Sequence, residues 1–279
     1  MLVFDHVSVF YGGTQVLRGL SFSIRDGEQV GLLGANGAGK STLMKAALGL
    51  VPYTGSITVD GLPVTRENLP AVRRKLGYVL QDADNQMFMP TVLDDMLFGP
   101  MNYGLSRAEA ERQADETLAS LHMEHLKLRH NHKMSGGEKR MAAIAVILAM
   151  KPDMLVLDEP TAGLDPRGRD EILGEISLLR EKTGMTIVLV SHSMEDVANY
   201  VNRIIVMNKG SVMFDEEPKK VFAHVKELEE VGLAAPQVTY IMHTLKEAGF
   251  AVETDATTLT EARDAILAAC GRGKERKQC

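Results

Sequence analysis

A chain of 279 residues, 45% hydrophobic and 24% charged, has an ordinary globular composition and enough length for one large α/β domain with a small appendage. Its formal net charge of -6 argues against nucleic acid as the main partner, since phosphate-binding surfaces carry a basic excess. The longest apolar run, 141–150, is about half a membrane span, and Met1 to His6 lack the regions of a signal peptide, so membrane association is expected only through a partner.

From the N-terminus, 7–10 and 20–24 alternate apolar and polar residues and are expected as antiparallel strands. Residues 28–33 read as a short strand entering a glycine-rich loop and then a helix, the start of a βαβ unit. The alternation returns at 56–61 and ends on the turn signal Asp60-Gly61. From about 91 to 150 the chain reads as helical, with Ser106 and Glu109 spaced as a capping box. Residues 154–158 and 186–190 are continuous apolar runs, as expected of parallel strands covered on both faces. Two further runs, 204–207 and 211–214, flank Asn208-Lys209-Gly210 as a closing hairpin. Past Pro218 the pattern turns helical, and 217–279 is taken as a C-terminal extension whose basic stretch, 271–277, is expected to be solvated and frayed. The two cysteines, Cys270 and Cys279, are too few for a disulfide framework and fit a reducing, cytoplasmic setting.

Gly34-Ala35-Asn36-Gly37-Ala38-Gly39-Lys40-Ser41 matches the P-loop pattern at every defined position. Gly34, Gly37 and Gly39 let the backbone curl, so that successive N–H groups point inward at phosphate oxygens. The following helix adds its positive end, and Lys40 is expected to reach the β- and γ-phosphates of ATP. The Ser41 hydroxyl is expected on Mg²⁺, and the candidate nucleotide-binding stretch runs from Gly34 through Asn36 to Thr42. The bland alternative is a structural glycine turn, but strand, loop and helix in this order are the context the motif requires. Farther on, Leu155-Val156-Leu157-Asp158-Glu159 is an apolar strand ending in two carboxylates. Asp158 is suited to holding Mg²⁺ and Glu159 to polarising an attacking water as general base.

Between them, Ser135-Gly136-Gly137-Glu138-Lys139-Arg140 resembles the signature of ABC-type ATPases, and the resemblance covers about residues 2–216. It implies an α/β P-loop NTPase fold: a parallel-sheet core, an antiparallel β subdomain, a helical subdomain at about 91–150, and the extension after residue 216. It also implies that Ser135 and Gly137 of one subunit cover the γ-phosphate held by Lys40 of another, with Glu138 standing where glutamine is commoner. Gln81 fits the glutamine that senses Mg²⁺ and the attacking water, and Ala162-Gly163-Leu164-Asp165 fits the D-loop. His192 fits the switch histidine that contacts the γ-phosphate, and Tyr11 fits the aromatic that stacks on adenine. Alone, a histidine at a strand end is more often structural and a tyrosine in a strand is usually packing; their order along the chain gives them the functional reading.

The stretches 81–88, 98–105 and 160–169 further resemble ATPases of energy-coupling factor importers, which take up vitamins or cobalt and nickel in prokaryotes. Residues 231–239 resemble that family's extension, which helps ATPase subunits pair. The resemblance implies a peripheral protein on the cytoplasmic membrane face, paired with an identical or similar ATPase. It also implies a transmembrane coupling protein and a separate substrate-binding membrane protein, with Asp94 or Asp95 receiving an arginine from the coupling protein. ATPases of other importers or exporters, a soluble ABC protein acting on ribosomes or DNA, and a degenerate regulatory subunit fit this stretch and the intact Lys40, Glu159 and His192 less well.

Overall fold

The computed structural model describes residues 1–275; Cys279 and the end of the expected frayed stretch lie outside the described residues. In chain order, β1 (Leu2–Tyr11) and β2 (Thr14–Ile24) form a hairpin, followed by β3 (Gln29–Leu33), α1 (Lys40–Ala47), β4 (Thr54–Val59), β5 (Leu62–Pro63), α2 (Leu69–Lys75) and β6 (Leu76–Val79). Three helices come next: α3 (Val92–Asn102), α4 (Arg107–Ser120) and α5 (Gly136–Leu148). The chain returns through β7 (Met154–Asp158), α6 (Pro166–Thr183), β8 (Thr186–Val190), α7 (Met194–Tyr200) and the hairpin β9 (Arg203–Asn208) and β10 (Ser211–Glu216). It ends with α8 (Pro218–Ala223), α9 (Val225–Glu230), α10 (Gln237–Glu247) and α11 (Leu259–Glu275).

One sheet has the order β10-β9-β3-β8-β7-β6, parallel except for the β9–β10 hairpin; the other, β2-β1-β4-β5, is antiparallel. All of β7 and β8 is buried, as their continuous apolar sequences require of strands covered on both faces. Alternate residues then supply opposite cores. Leu155 and Leu157 pack with the helical layer, whereas Met154 and Val156 pack with α1, α2 and the antiparallel sheet. This arrangement leaves the C-terminal ends of β3, β7 and β8 together at one edge, where the loops carrying Lys40, Glu159 and His192 begin.

The helical stretch begins where Thr91 caps α3, and Ser106 with Glu109 forms the expected capping box on α4. It is not helical throughout, because 121–135 runs through short 3₁₀ turns before Ser135 caps α5. In the extension, Val221, Phe222, Leu228, Leu233 and Ala235 pack into the main core, while a small separate core begins at Val238.

Candidate functional site

The loop between β3 and α1 bends where only glycine fits. Gly34 has φ 157°, and a Cβ there would lie 2.6 Å from the Met207 carbonyl oxygen; Gly39 has φ 105°, and its Cβ would meet Leu17 at 2.6 Å. The loop forms one side of a cavity of about 810 Å³. Gly34, Asn36, Gly37, Gly39, Lys40, Ser41 and Thr42 all line it, as do Gln81, Asp158, Glu159 and His192. Residues spread over more than 150 positions of sequence thus meet in one hollow.

Lys40 Nζ donates to the Gly34 carbonyl at 2.5 Å and to the Ala35 carbonyl at 3.4 Å. Burial pulls its pKa below the usual lysine value, against the opposing charges of Glu159 and Asp158. The Ser41 hydroxyl donates to Asp158 Oδ2 at 3.3 Å. The Tyr78 hydroxyl, from β6, donates to that same oxygen at 2.5 Å, and burial, then the carboxylate, push the phenol's pKa up. A hydroxyl and a carboxylate side by side suit Mg²⁺, which takes few protein ligands and completes its shell with phosphate and water. No group of three or more acidic, histidine or cysteine ligands exists among the described residues.

Glu159 is the other half of the site. Its φ of 49° lies in the left-handed region, unusual for a residue with a side chain, and its N–H donates to the Val190 carbonyl at 2.8 Å. The carboxylate is 11% exposed and approaches His192 Nδ1 at 2.7 Å. A carboxylate at the cavity wall beside an imidazole has the composition of a site that takes a proton from water.

Three expected residues lie elsewhere. Tyr11 is 45% exposed at the end of β1, outside the cavity lining, where Val16 of β2 stands instead. Ser135 and Gly137 are at the start of α5, away from their own chain's cavity. There Ser135 Oγ accepts the Glu138 N–H at 3.3 Å and Glu138 Oε2 accepts the Ser135 N–H at 2.7 Å. Hydrogen bonds to the Glu138 carboxyl from the Ser135 N–H, then from the Ser135 side chain, hold its pKa below the usual value.

Of the two aspartates expected to receive an arginine, Asp95 is 2% exposed and already engaged: its Oδ1 accepts the N–H groups of Phe88 at 3.1 Å and Met89 at 3.0 Å, and its Oδ2 accepts Asn131 at 2.8 Å. Asp94, half-buried, is held by the Thr91 hydroxyl at 2.6 Å. The region presents apolar side chains outward, with Phe88 and Phe98 edge to face at 4.9 Å and Met101 nearby in sequence and exposed, beside exposed Asp82, Asp84 and Asn85.

Two features had no clear signal in the sequence. Tyr78 is one. The other is the far wall of the cavity, made by Gly232 to Ala235, Gln237 and Tyr240 of the extension. The Gln237 N–H reaches Glu195 Oε1 at 3.4 Å, and the Tyr240 hydroxyl accepts the Ala235 N–H at 3.2 Å.

The model of one protein family, ABC transporter, matches residues 17–162. The chain is similar to the energy-coupling factor transporter ATP-binding protein EcfA2 of Clostridium tetani, 45% identical over 253 residues, 89% of this chain and 88% of that one. The same protein of Caldanaerobacter subterraneus is 40% identical over 272 residues, 94% of this chain and 95% of that one. Among solved structures, cbiO1 from Clostridium perfringens, part of the ABC transporter complex cbiONQ, matches with a TM-score of 0.76 at 36% identity, covering 88% of this chain and 98% of that one. A dimeric ATP-binding cassette in a post-hydrolysis state with ADP and Pi matches with a TM-score of 0.70 at 28% identity, over 78% of this chain and 99% of that one.

Proposed function

The chain belongs to the ABC transporter ATPases, among the energy-coupling factor transporter ATP-binding proteins, and from that premise we propose that it powers a micronutrient importer, for a vitamin or for cobalt or nickel ions. The observation carrying this reading is the single cavity that gathers Lys40, Ser41, Gln81, Asp158, Glu159 and His192.

In this reading the amides of the loop from Gly34 through Asn36, Gly37 and Gly39 cradle the phosphates, with Lys40 on the β- and γ-phosphates and Thr42 at the helix start. Ser41, Asp158 and Gln81 are the residues that would hold Mg²⁺, whose charge would offset that building on the phosphate oxygens. Glu159 orients and deprotonates the attacking water, and His192, touching its carboxylate, contacts the γ-phosphate. Tyr11 supplies the adenine stack. Ser135 and Gly137 come from a second ATPase, identical or paralogous, and place the α5 N-terminus over the γ-phosphate. ATP thereby favours the closed pair, and the coupling protein at the Phe88 and Phe98 surface reads the closure. No described helix is long and apolar enough to cross a membrane, which suits a peripheral subunit beneath membrane partners.

The test is affinity capture of the chain from gently solubilised native membranes. A polytopic coupling protein with one or several small substrate-binding membrane proteins is the expected result. A paired permease with an extracellular binding protein would reject this importer class, and ribosomes or DNA would reject transport.

A further inference from the structure

Two segments of the catalytic cavity, one at Gln81 and one that runs from Glu159 to Ala162, meet on a side chain to which the reading above gives no role. Arg140 lies half-buried on the second turn of α5. Its Nη1 donates to the Gln81 carbonyl and, at 3.2 Å, to the Glu159 carbonyl, while Nη2 donates at 3.2 Å to the Ala162 carbonyl. Its Nε is buried without a partner among the described residues. Burial pushes the guanidinium pKa down, opposed by the charge of Asp82. A cation with a buried unpaired N–H stabilises a fold poorly, so what Arg140 contributes is the geometry its other nitrogens impose.

That geometry concerns the peptide after Glu159. The residue sits at φ 49°, and its carbonyl is held by two donors, the Ala162 N–H at 3.2 Å and Arg140. A backbone in that region persists only where its surroundings over-determine it. On the other side, α5 is fastened to the segment after Gln81: Lys139 Nζ meets Asp84 at 2.6 Å, and Gln86 Nε2 donates to the Ala143 carbonyl at 2.6 Å. The first turns of α5 and residues 81–86 therefore form one body, and Arg140 extends it to Glu159 and Ala162.

We propose that Arg140 is a positioning residue for ATP hydrolysis, bracing the turn from Glu159 to Ala162 against the Gln81 loop so that the base is aligned only while α5 is docked. The inference rests on Glu159 being the general base. It gives the helical layer a direct mechanical hold on the catalytic carboxylate.

The test uses the full chain in its membrane complex. R140M removes the guanidinium and keeps an unbranched stem, whereas R140K keeps the charge but replaces the planar fork with one ammonium. R140M is expected to lower kcat by about 10- to 100-fold, with ATP affinity in EDTA within about twofold of wild type and R140K between the two. On an E159Q background, adding R140M should change the residual rate by less than about twofold, because nothing is left to position. A wild-type kcat in R140M overturns the proposal, as does a loss that multiplies in full in the double variant. Loss of ATP affinity or of cooperative unfolding in step with kcat, in both R140M and R140K, overturns it too by marking a merely structural role. An E159Q protein that hydrolyses ATP at full rate would remove the premise itself; an inactive E159Q beside a normal R140M would remove only the role of Arg140.

Discussion

His192 Nδ1 lies 2.7 Å from Glu159 Oε2, although the two residues are 33 positions apart. They meet because β7 and β8 are parallel neighbours in register, Asp158 opposite Val190, so the residues just past each strand end emerge side by side. The imidazole is the more exposed partner, at 66% against 11% for the carboxylate. It is thus free to turn towards a phosphate while the carboxylate stays anchored by its strand. His192→Ala should therefore lower kcat by about 10²-fold or more, the scale of a misplaced general base. Nucleotide binding, which the phosphate loop supplies, should change little. Single-turnover hydrolysis alongside equilibrium ATP binding separates the two.

Tyr78 and Ser41 both donate to Asp158 Oδ2, at 2.5 and 3.3 Å. Tyr78→Phe removes the shorter bond without changing the ring. A hydrogen bond to a charged acceptor is worth about 1.5–3 kcal/mol, so a stability loss in that range is expected. The freed carboxylate should also hold Mg²⁺ less well. A rise in the Mg²⁺ concentration needed for half-maximal turnover, beside a lowered unfolding midpoint, checks both effects.

Lys40 carries a pKa lowered by burial, against the pull of Glu159 and Asp158. A lowered value means the free protein surrenders this proton at a lower pH than an ordinary lysine, about 10.4. Phosphate binding favours the ammonium, so ATP affinity should fall as pH rises through the lowered value, and binding there should take up a proton. Calorimetry in buffers of different ionisation enthalpy, from neutral pH upward, measures the uptake directly. Affinity that stays flat up to the ordinary lysine value would contradict it.

Asp95 organises the loop behind the exposed phenylalanines by accepting two N–H groups and one amide. Asp95→Asn turns at least one acceptor position into a donor facing a donor. Leaving a buried polar group unsatisfied costs about 1–3 kcal/mol. The expected signature is a lowered unfolding midpoint with faster amide exchange at Phe88 and Met89. An aspartate that only awaited an outside arginine would leave both unchanged in the isolated chain.

The parts of the site legible in the sequence are those written as contiguous strings. The loop from Gly34 to Ser41 and the strand ending at Asp158 and Glu159 carry their chemistry in order, each flanked by the strand or helix that aims it. The capping box at Ser106 is legible for the same reason, since donor and acceptor are three residues apart. Tyr78 reaches Asp158 across 80 residues, and Arg140 reaches Gln81 across 59, so nothing local marks either. The inward turn of Asp95 follows from helical period, because it lies three residues after buried Val92 and one before buried Met96. Its acidic character concealed that, since a carboxylate is expected outside until its partners are seen. Residues 231–239 are marked in the sequence only by a resemblance, and the docking of Leu233 and Ala235 into the main core is what brings them to the cavity.

Whether this chain hydrolyses ATP with Glu159 as its base is read from the turnover of E159Q in the membrane complex. The variant is expected to bind ATP still and to accumulate the closed ATPase pair, while hydrolysis falls by about 10²-fold or more. Undiminished turnover with ATP still bound would show that Glu159 is not the base.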